Sequence, residues 1–189
     1  MFLRRQPSLD QVRQFISIQQ SLPFSYSQVG ATQTQPPTGY RVDHNRLELG
    51  AGQQTFLRAV AALRAWKQFD LGWVSVVPGD QPIAVGTTVA VQARVLNLWS
   101  LNATRIVYVI DEEKRFGFAY GTLPDHVERG EERFLVERFD DGSVWYDIYA
   151  FSRPRHPLAR LGFPVTRMLQ KRFARESLAV MRAAVRSSQ

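Results

Sequence analysis

The sequence predicts an α+β protein: a curved antiparallel sheet gripping one long C-terminal helix, with an extra short helix at the N-terminus. Two observations carry this. From Asn102 to Pro154 four runs of strand-like alternation follow one another with only tight turns between them, which makes antiparallel hairpins and not the crossovers of a parallel sheet. From Pro164 to Arg186 apolar and basic residues repeat at helical spacing, so that segment is an amphipathic helix whose apolar side must lie on the sheet. The whole order is helix, strand, helix, two strands, four strands, long helix, which is α+β and not α/β.

Ser8-Leu9-Asp10-Gln11 has the form of a capping box, and Val12, Phe15 and Ile16 follow on one stripe, so a first helix runs from Ser8 to near Leu22-Pro23. Phe24 to Tyr40 is rich in Gln, Thr, Ser, Gly and Pro, and Pro36-Pro37 blocks helix, which predicts a long surface loop acting as a connector or a lid. Tyr40 to Leu49 reads as a strand. Gly50-Ala51-Gly52 then opens a helix, and without a Gly-x-Gly-x-x-Gly or Gly-Lys-Ser/Thr pattern it is a tight turn and not a phosphate loop. In that helix Phe56, Ala59, Val60, Leu63 and Trp66 share a stripe that Arg58 and Arg64 avoid. Gly72 to Pro78 is a short strand closed by Pro-Gly-Asp. Gly86 to Trp99 is a longer one, with Val89, Val91, Ala93 and Val95 on one face, and its turn is expected around Ser100-Leu101-Asn102.

In the central region Ile106, Tyr108 and Ile110 alternate with Arg105, Val107 and Val109, and a polar turn at Asp111–Lys114 leads into Phe116, Phe118 and Tyr120. A tight turn at Glu112-Glu113 would set Tyr108 opposite Gly117 and Ile106 opposite Ala119. Asp140-Asp141-Gly142-Ser143 suits a primed two-residue turn in the next hairpin. His156 to Gly162 reads as a single helical turn, and Pro164 sits where proline is tolerated, in the first turn of the last helix. On a helical wheel Val165, Leu169, Phe173, Val180, Ala183 and Ala184 fall on one side of that helix. Arg167, Lys171, Arg175, Arg182 and Arg186 fall on the other, and Glu176 lies inside the apolar stripe.

A chain of 189 residues, 44% apolar and 12% aromatic, is enough for one domain with a real core, here residues 1–189. The absence of cysteine excludes disulfides and thiolate chemistry. No stretch is apolar and long enough for a signal peptide or a membrane span, so a soluble cytoplasmic protein is expected. The net charge of +7 is local: Arg153, Arg155, Arg160, Arg167, Lys171, Arg172, Arg175, Arg182 and Arg186 face only Glu176 after position 152. Such a distribution belongs to one helix and its approach, and nucleic acid is not the expected partner.

The order of elements is similar to the helix-grip fold of the START-like and Bet v 1-like lipid and small-ligand carriers, a likeness of layout. More specifically, SYSQVGAT, LELGAG, RIVYVIDEEKRFGFAYGTLPDHVERGEERF and VWYDIYAFSRP resemble the bacterial and plant family known as domain of unknown function 1990, across Phe24 to Met181. The resemblance implies the fold and brings no catalytic residues with it.

A sheet gripped by a helix encloses a cavity, and aromatic walls with a few polar groups suit a small apolar or amphipathic ligand such as a lipid. The candidates to line it are Trp66, Tyr108, Tyr120, Trp145, Asp147, Tyr149, Phe173 and Glu176. Asp147, in an aromatic strand, is expected to be a buried hydrogen-bonded acid, and Glu176 either anchors the ligand's polar end or pairs with Arg172. Asp111 is expected to be solvated in its turn, and Glu131-Glu132 to form exposed ion pairs. His44, His126 and His156 lack ligand spacing, so neither a metal nor another cofactor is expected. Two alternatives stand beside the binding reading. One is a cyclase- or hydrolase-type enzyme with Asp147 or Glu176 as acid–base group. The other is an interaction module in which Arg167, Lys171, Arg175, Arg182 and Arg186 form a basic surface for anionic lipid headgroups or, less expected, nucleic acid.

Overall fold

The computed structural model describes residues 1–95, 97–155 and 163–186, so the expected helical turn at His156 to Gly162 lies outside the described residues. A two-residue strand β1 (Phe2–Leu3) precedes helix α1 (Leu9–Gln19), and strand β2 (Arg41–Ala51) leads into helix α2 (Gln53–Arg64). Strands β3 (Val74–Val77), β4 (Thr88–Val95), β5 (Leu98–Asp111), β6 (Arg115–Thr122), β7 (Glu128–Arg138) and β8 (Ser143–Pro154) follow, and helix α3 (Phe163–Arg186) closes the chain's described part. All strands join one open antiparallel sheet in the order β2-β8-β7-β6-β5-β4-β3, with β1 added along β5.

Local chemistry sets the first helix. The Ser8 hydroxyl accepts from the Gln11 N–H at 3.3 Å and the Gln11 side chain accepts from the Ser8 N–H at 2.9 Å, a reciprocal capping box. Buried Val12 and Phe15 then pack with Ala90, Leu101, Ala103 and Leu123 on the outer face of the sheet. The inner face carries the main core, where Phe116 and Phe118 of β6, Phe134 and Val136 of β7, and Val144, Tyr146 and Ile148 of β8 meet α2 and α3. Trp66, at φ 56° just past α2, fills this core against Phe69 and Phe118 and donates its indole N–H to Gln81 O at 2.8 Å.

Three turns differ from the expectation, and each shifts the register. The strand expected to continue to Trp99 breaks at Asn97, which takes φ 61°, so that Val95 already pairs with Leu98. Asparagine tolerates this left-handed conformation, and alternation continues on both sides, which hides the turn from a periodicity argument. Glu112 and Arg115 exchange backbone hydrogen bonds around Glu113-Lys114, placing Gly117 opposite Ile110 and Ala119 opposite Tyr108. A bulge between Ile106 and Tyr108 then sets Ile106 opposite Tyr120. In the β7–β8 hairpin Phe139 N–H donates to Ser143 O at 2.9 Å and Gly142 alone, at φ 84°, is left-handed, so the loop spans three residues instead of two.

The segment from Phe24 to Tyr40 lies against the outer face, away from α3. Buried Glu131 holds it there, accepting from the Tyr26 hydroxyl at 2.6 Å, the Gly30 N–H at 2.7 Å, the Thr32 N–H at 3.0 Å and the Thr32 hydroxyl. Helix α3 has two regimes. Its second half buries Ser177, Met181 and Val185 against α2 and the sheet, while in its first half Val165 remains 43% exposed because the helix there stands off the sheet. The buried stripe is therefore rotated from the expected one. Ala183 is exposed, and Ala174, Ser177, Met181 and Val185 form the buried line.

Candidate functional site

The gap under the first half of α3 follows from how side chains change along the strands. On the inner face β7 reads Val136, Phe134, Glu132, Gly130, Glu128, and β8 reads Val144, Tyr146, Ile148, Ala150, Ser152. The antiparallel partner β2 reads Leu49, Leu47, Asn45, Asp43, and β6 runs from Phe116 to Thr122. Each strand passes from large and apolar to small or polar toward the same end of the sheet. At the large end the helices pack down; at the small end they cannot, and a cavity of about 920 Å³ remains. Val74, Val91, Ala93, Leu98, Phe69 and Trp73 wall one side, Leu169 and Phe173 roof it, and Asp43, Asn102, Tyr120, Thr122, Glu128, Glu132 and Gln170 supply polar atoms.

The carboxyl groups there have different partners. Asp43 takes a bidentate hydrogen bond from Arg167, which ties α3 to β2. Glu128 accepts from Gln170 Nε2 at 2.7 Å, and burial raises its pKa against the lowering effect of its hydrogen bonds with Ser152 and Gln170. Glu132 accepts from the Tyr120 hydroxyl at 2.7 Å, its sole hydrogen bond among the described residues. Burial pushes its carboxyl up to about 7, with the Tyr120 hydrogen bond pulling the other way and the charges of Glu128 and Asp43 adding to the rise. Burial likewise lowers the imidazole of His126, at the cavity's edge, to about 4, so it is neutral near pH 7.

Of the residues expected from the sequence to line the cavity, Tyr120 and Phe173 do so. Tyr108, Trp145, Asp147 and Tyr149 stand on the outer face, because strand parity with Glu131 and Arg133 turns them away from the helices. There Tyr108 shares a 2.7 Å hydrogen bond with Thr32, Trp145 stacks under Arg46 and Tyr149 meets the His44 ring edge-on. Asp147 is buried, accepting from Arg133 Nη2 at 2.9 Å and bonding His44. Trp66 belongs to the packed core. Glu176 sits beside the roof, fixed by Trp73 Nε1 at 2.6 Å and Arg172 Nε at 2.8 Å.

Two further expectations are corrected. Glu131 and Glu132 are not exposed ion pairs: one fastens the outer loop and the other lines the cavity. Arg167 is not part of a free basic face, being turned inward to Asp43, whereas Lys171, Arg175 and Arg186 are exposed and Arg182 is half-buried. Glu128, Asp43 and Gln170 were not expected in the site, and Glu132 was expected at the surface. The signal for Glu128 and Glu132 was present, since Phe134 and Val136 share a strand face with positions 132, 130 and 128. Among the described residues no three His, Cys, Asp or Glu side chains converge as a metal site requires, and no helix is long and apolar enough to cross a membrane.

An open antiparallel sheet holding a long C-terminal helix over one face, with a cavity between them, is the helix-grip fold of START-like and Bet v 1-like proteins. Human STARD10 matches with a TM-score of 0.51 at 14% identity, over 97% of this chain and 82% of its own. The Zhui aromatase/cyclase from Streptomyces sp. R1128 matches with a TM-score of 0.55 at 8% identity, over 78% of this chain and 94% of its own. At such identities the likeness is one of fold. Residues 25–180 match the family described as domain of unknown function (DUF1990), and the chain belongs to that family. A UPF0548 protein of Dictyostelium discoideum is 38% identical over 211 aligned positions, covering 100% of this chain and 98% of the relative. Another, of Deinococcus radiodurans, is 37% identical over 187, covering 93% and 94%.

Proposed function

We propose that the protein binds a small amphipathic molecule in the cavity beneath the first half of α3. One observation carries the reading: a cavity of about 920 Å³, within the roughly 300–1,000 Å³ range of small-molecule sites, has apolar walls and polar atoms supplied by the strands and by Gln170 of the helix. Apolar walls favour the ligand's body through the area they remove from water, while Glu128, Glu132 and Gln170 orient its polar end. A fold shared with an aromatase/cyclase is compatible with this and adds no residue roles. The test is organic extraction and mass analysis of gently purified protein, alongside Ala93→Phe, which fills the cavity from its wall. Wild type should carry a small molecule that Ala93→Phe lacks. Equal carriage by both, or none by wild type together with no uptake of apolar probes, would overturn the reading.

A second reading, proton transfer by Glu132, rests on its carboxyl lying at about 7, near the pH at which a general acid or base works best. It replaces Asp147 and Glu176 as the acid–base candidate, since neither of those lines the cavity. Here a bound compound is converted at a rate that Glu132→Gln abolishes; a compound recovered unchanged after prolonged incubation with wild type speaks for binding alone.

A further inference from the structure

The acids in the cavity are out of balance with its cations. Asp43 is neutralised by Arg167 in a bidentate pair. Neither Glu128 nor Glu132 makes a salt-bridge contact among the described residues; Gln170 and Ser152 hold Glu128, on which the Arg167 charge acts from beyond contact, and the Tyr120 hydroxyl holds Glu132. Glu132 is half-buried and lines the cavity, with a carboxylate oxygen left over after Tyr120 has donated. Carboxylates in such surroundings either keep a proton or gain a cation, because the ionised form has lost its water. Lys171 lines the cavity from α3, but it is an exposed side chain. The rings of Phe69, Trp73 and Phe173 also line the cavity, but Phe69 and Phe173 pack on one another at 5.2 Å and the Arg172 guanidinium already lies over Trp73 at 4.5 Å, so they serve as apolar wall, as do the aliphatic side chains of β3 and β4.

We infer that the cavity selects amphiphiles with a positively charged amine, whose ammonium group takes the place of the missing cation between Glu128 and Glu132. This rests on the binding reading above and narrows it. An ammonium group supplies three donors, enough for the free oxygen of Glu132 and one of Glu128, and its charge cancels much of their mutual repulsion. A carboxylate or phosphate headgroup would instead meet two acids at close range with Arg167 already committed to Asp43. A neutral alcohol could hydrogen-bond but would leave the charge deficit in place.

Three probes with one chain length separate the possibilities: decylamine, decanol and decanoate, titrated into the full chain near pH 8 by calorimetry, with the Glu128→Gln/Glu132→Gln double variant in parallel. Decylamine should bind at least about tenfold tighter than decanol to wild type, decanoate weakest, and the preference should vanish in the double variant while decanol binding is retained. Retained decanol binding shows that the variant is folded and its cavity open. If decylamine and decanol bind wild type equally, or decanoate binds best, the amine inference is overturned and the cavity reading stands. If none of the three binds, both fall. A preference for the amine that survives in the double variant also overturns the assignment to these two acids.

Discussion

Replacing Glu132 by Gln should change how stability depends on pH, by an amount the structure sets. In the unfolded chain this carboxyl loses its proton near 4.5, and in the folded protein it does so at about 7. The folded state therefore binds more protons between these values, so wild-type stability falls as pH rises through the window and levels off above it. At 1.36 kcal/mol for each decade of proton affinity the penalty is about 3 kcal/mol. Gln keeps the acceptor for the Tyr120 hydroxyl but cannot ionise. Urea unfolding followed by tryptophan fluorescence should thus show the variant gaining about 3 kcal/mol on wild type between roughly pH 4.5 and 8. The comparison with wild type is essential because His126 acts in the opposite sense. Its imidazole, held at about 4 instead of 6.5, destabilises the fold as pH falls, and Glu128 on the same strand is also raised; both occur in the two proteins and largely cancel. A difference that stays flat across the window would refute the placement of Glu132 as a carboxyl enclosed in the cavity.

Three further outcomes concern the parts that frame the site. Glu131→Ala should destabilise by about 3 kcal/mol, since it strands the donors of Tyr26, Gly30 and Thr32, and limited proteolysis should then cut between residues 24 and 40, whereas cutting elsewhere first would contradict its role as the loop's fastening. In Gly121→Ala the added Cβ collides with the Tyr26 ring and hydroxyl, so proteolysis of the same loop should accelerate while uptake of apolar probes is unchanged; loss of uptake would place the loop in the binding site. Arg167→Met leaves the half-buried Asp43 unpaired at a cost of about 2 kcal/mol. Hydrogen exchange should quicken in the first half of α3 and not in the half holding Ser177, Met181 and Val185, and uniform quickening along the helix would show that Asp43 does not anchor it.

Much of the fold was legible because it rests on local rules. Ser8 and Gln11 form their capping box within four residues of chain. The alternation in Phe116, Phe118 and Tyr120 survives in the strand, and Pro164 does fall within the last helix. Where a turn depends on one residue tolerating a left-handed backbone, at Asn97, the pattern on either side is silent, and the strand ends at Val95, four residues before the expected Trp99.

The sequence by itself determined which residues share a strand face wherever a strand runs without a bulge, and that the helices are amphipathic; the tertiary structure decided which face the helices cover and, at the bulge, that Ile106 turns inward while Tyr108 turns outward. Period-two alternation carries parity but no sign. The sign comes from cross-strand register, set by the Glu113-Lys114 turn and the bulge between Ile106 and Tyr108, and from where α3 lies. That is why the aromatic residues Tyr108, Trp145 and Tyr149 fell on the outer face while Glu132, apparently a surface acid, came inside. The cavity itself is a sum over strands distant in sequence. The change from Phe134 to Glu132 lies beside that from Ile148 to Ala150, and on β2 the change from Leu47 to Asn45 comes one pair earlier, beside Tyr146 and Ile148, so room opens only because hydrogen bonding gathers these strands under one helix.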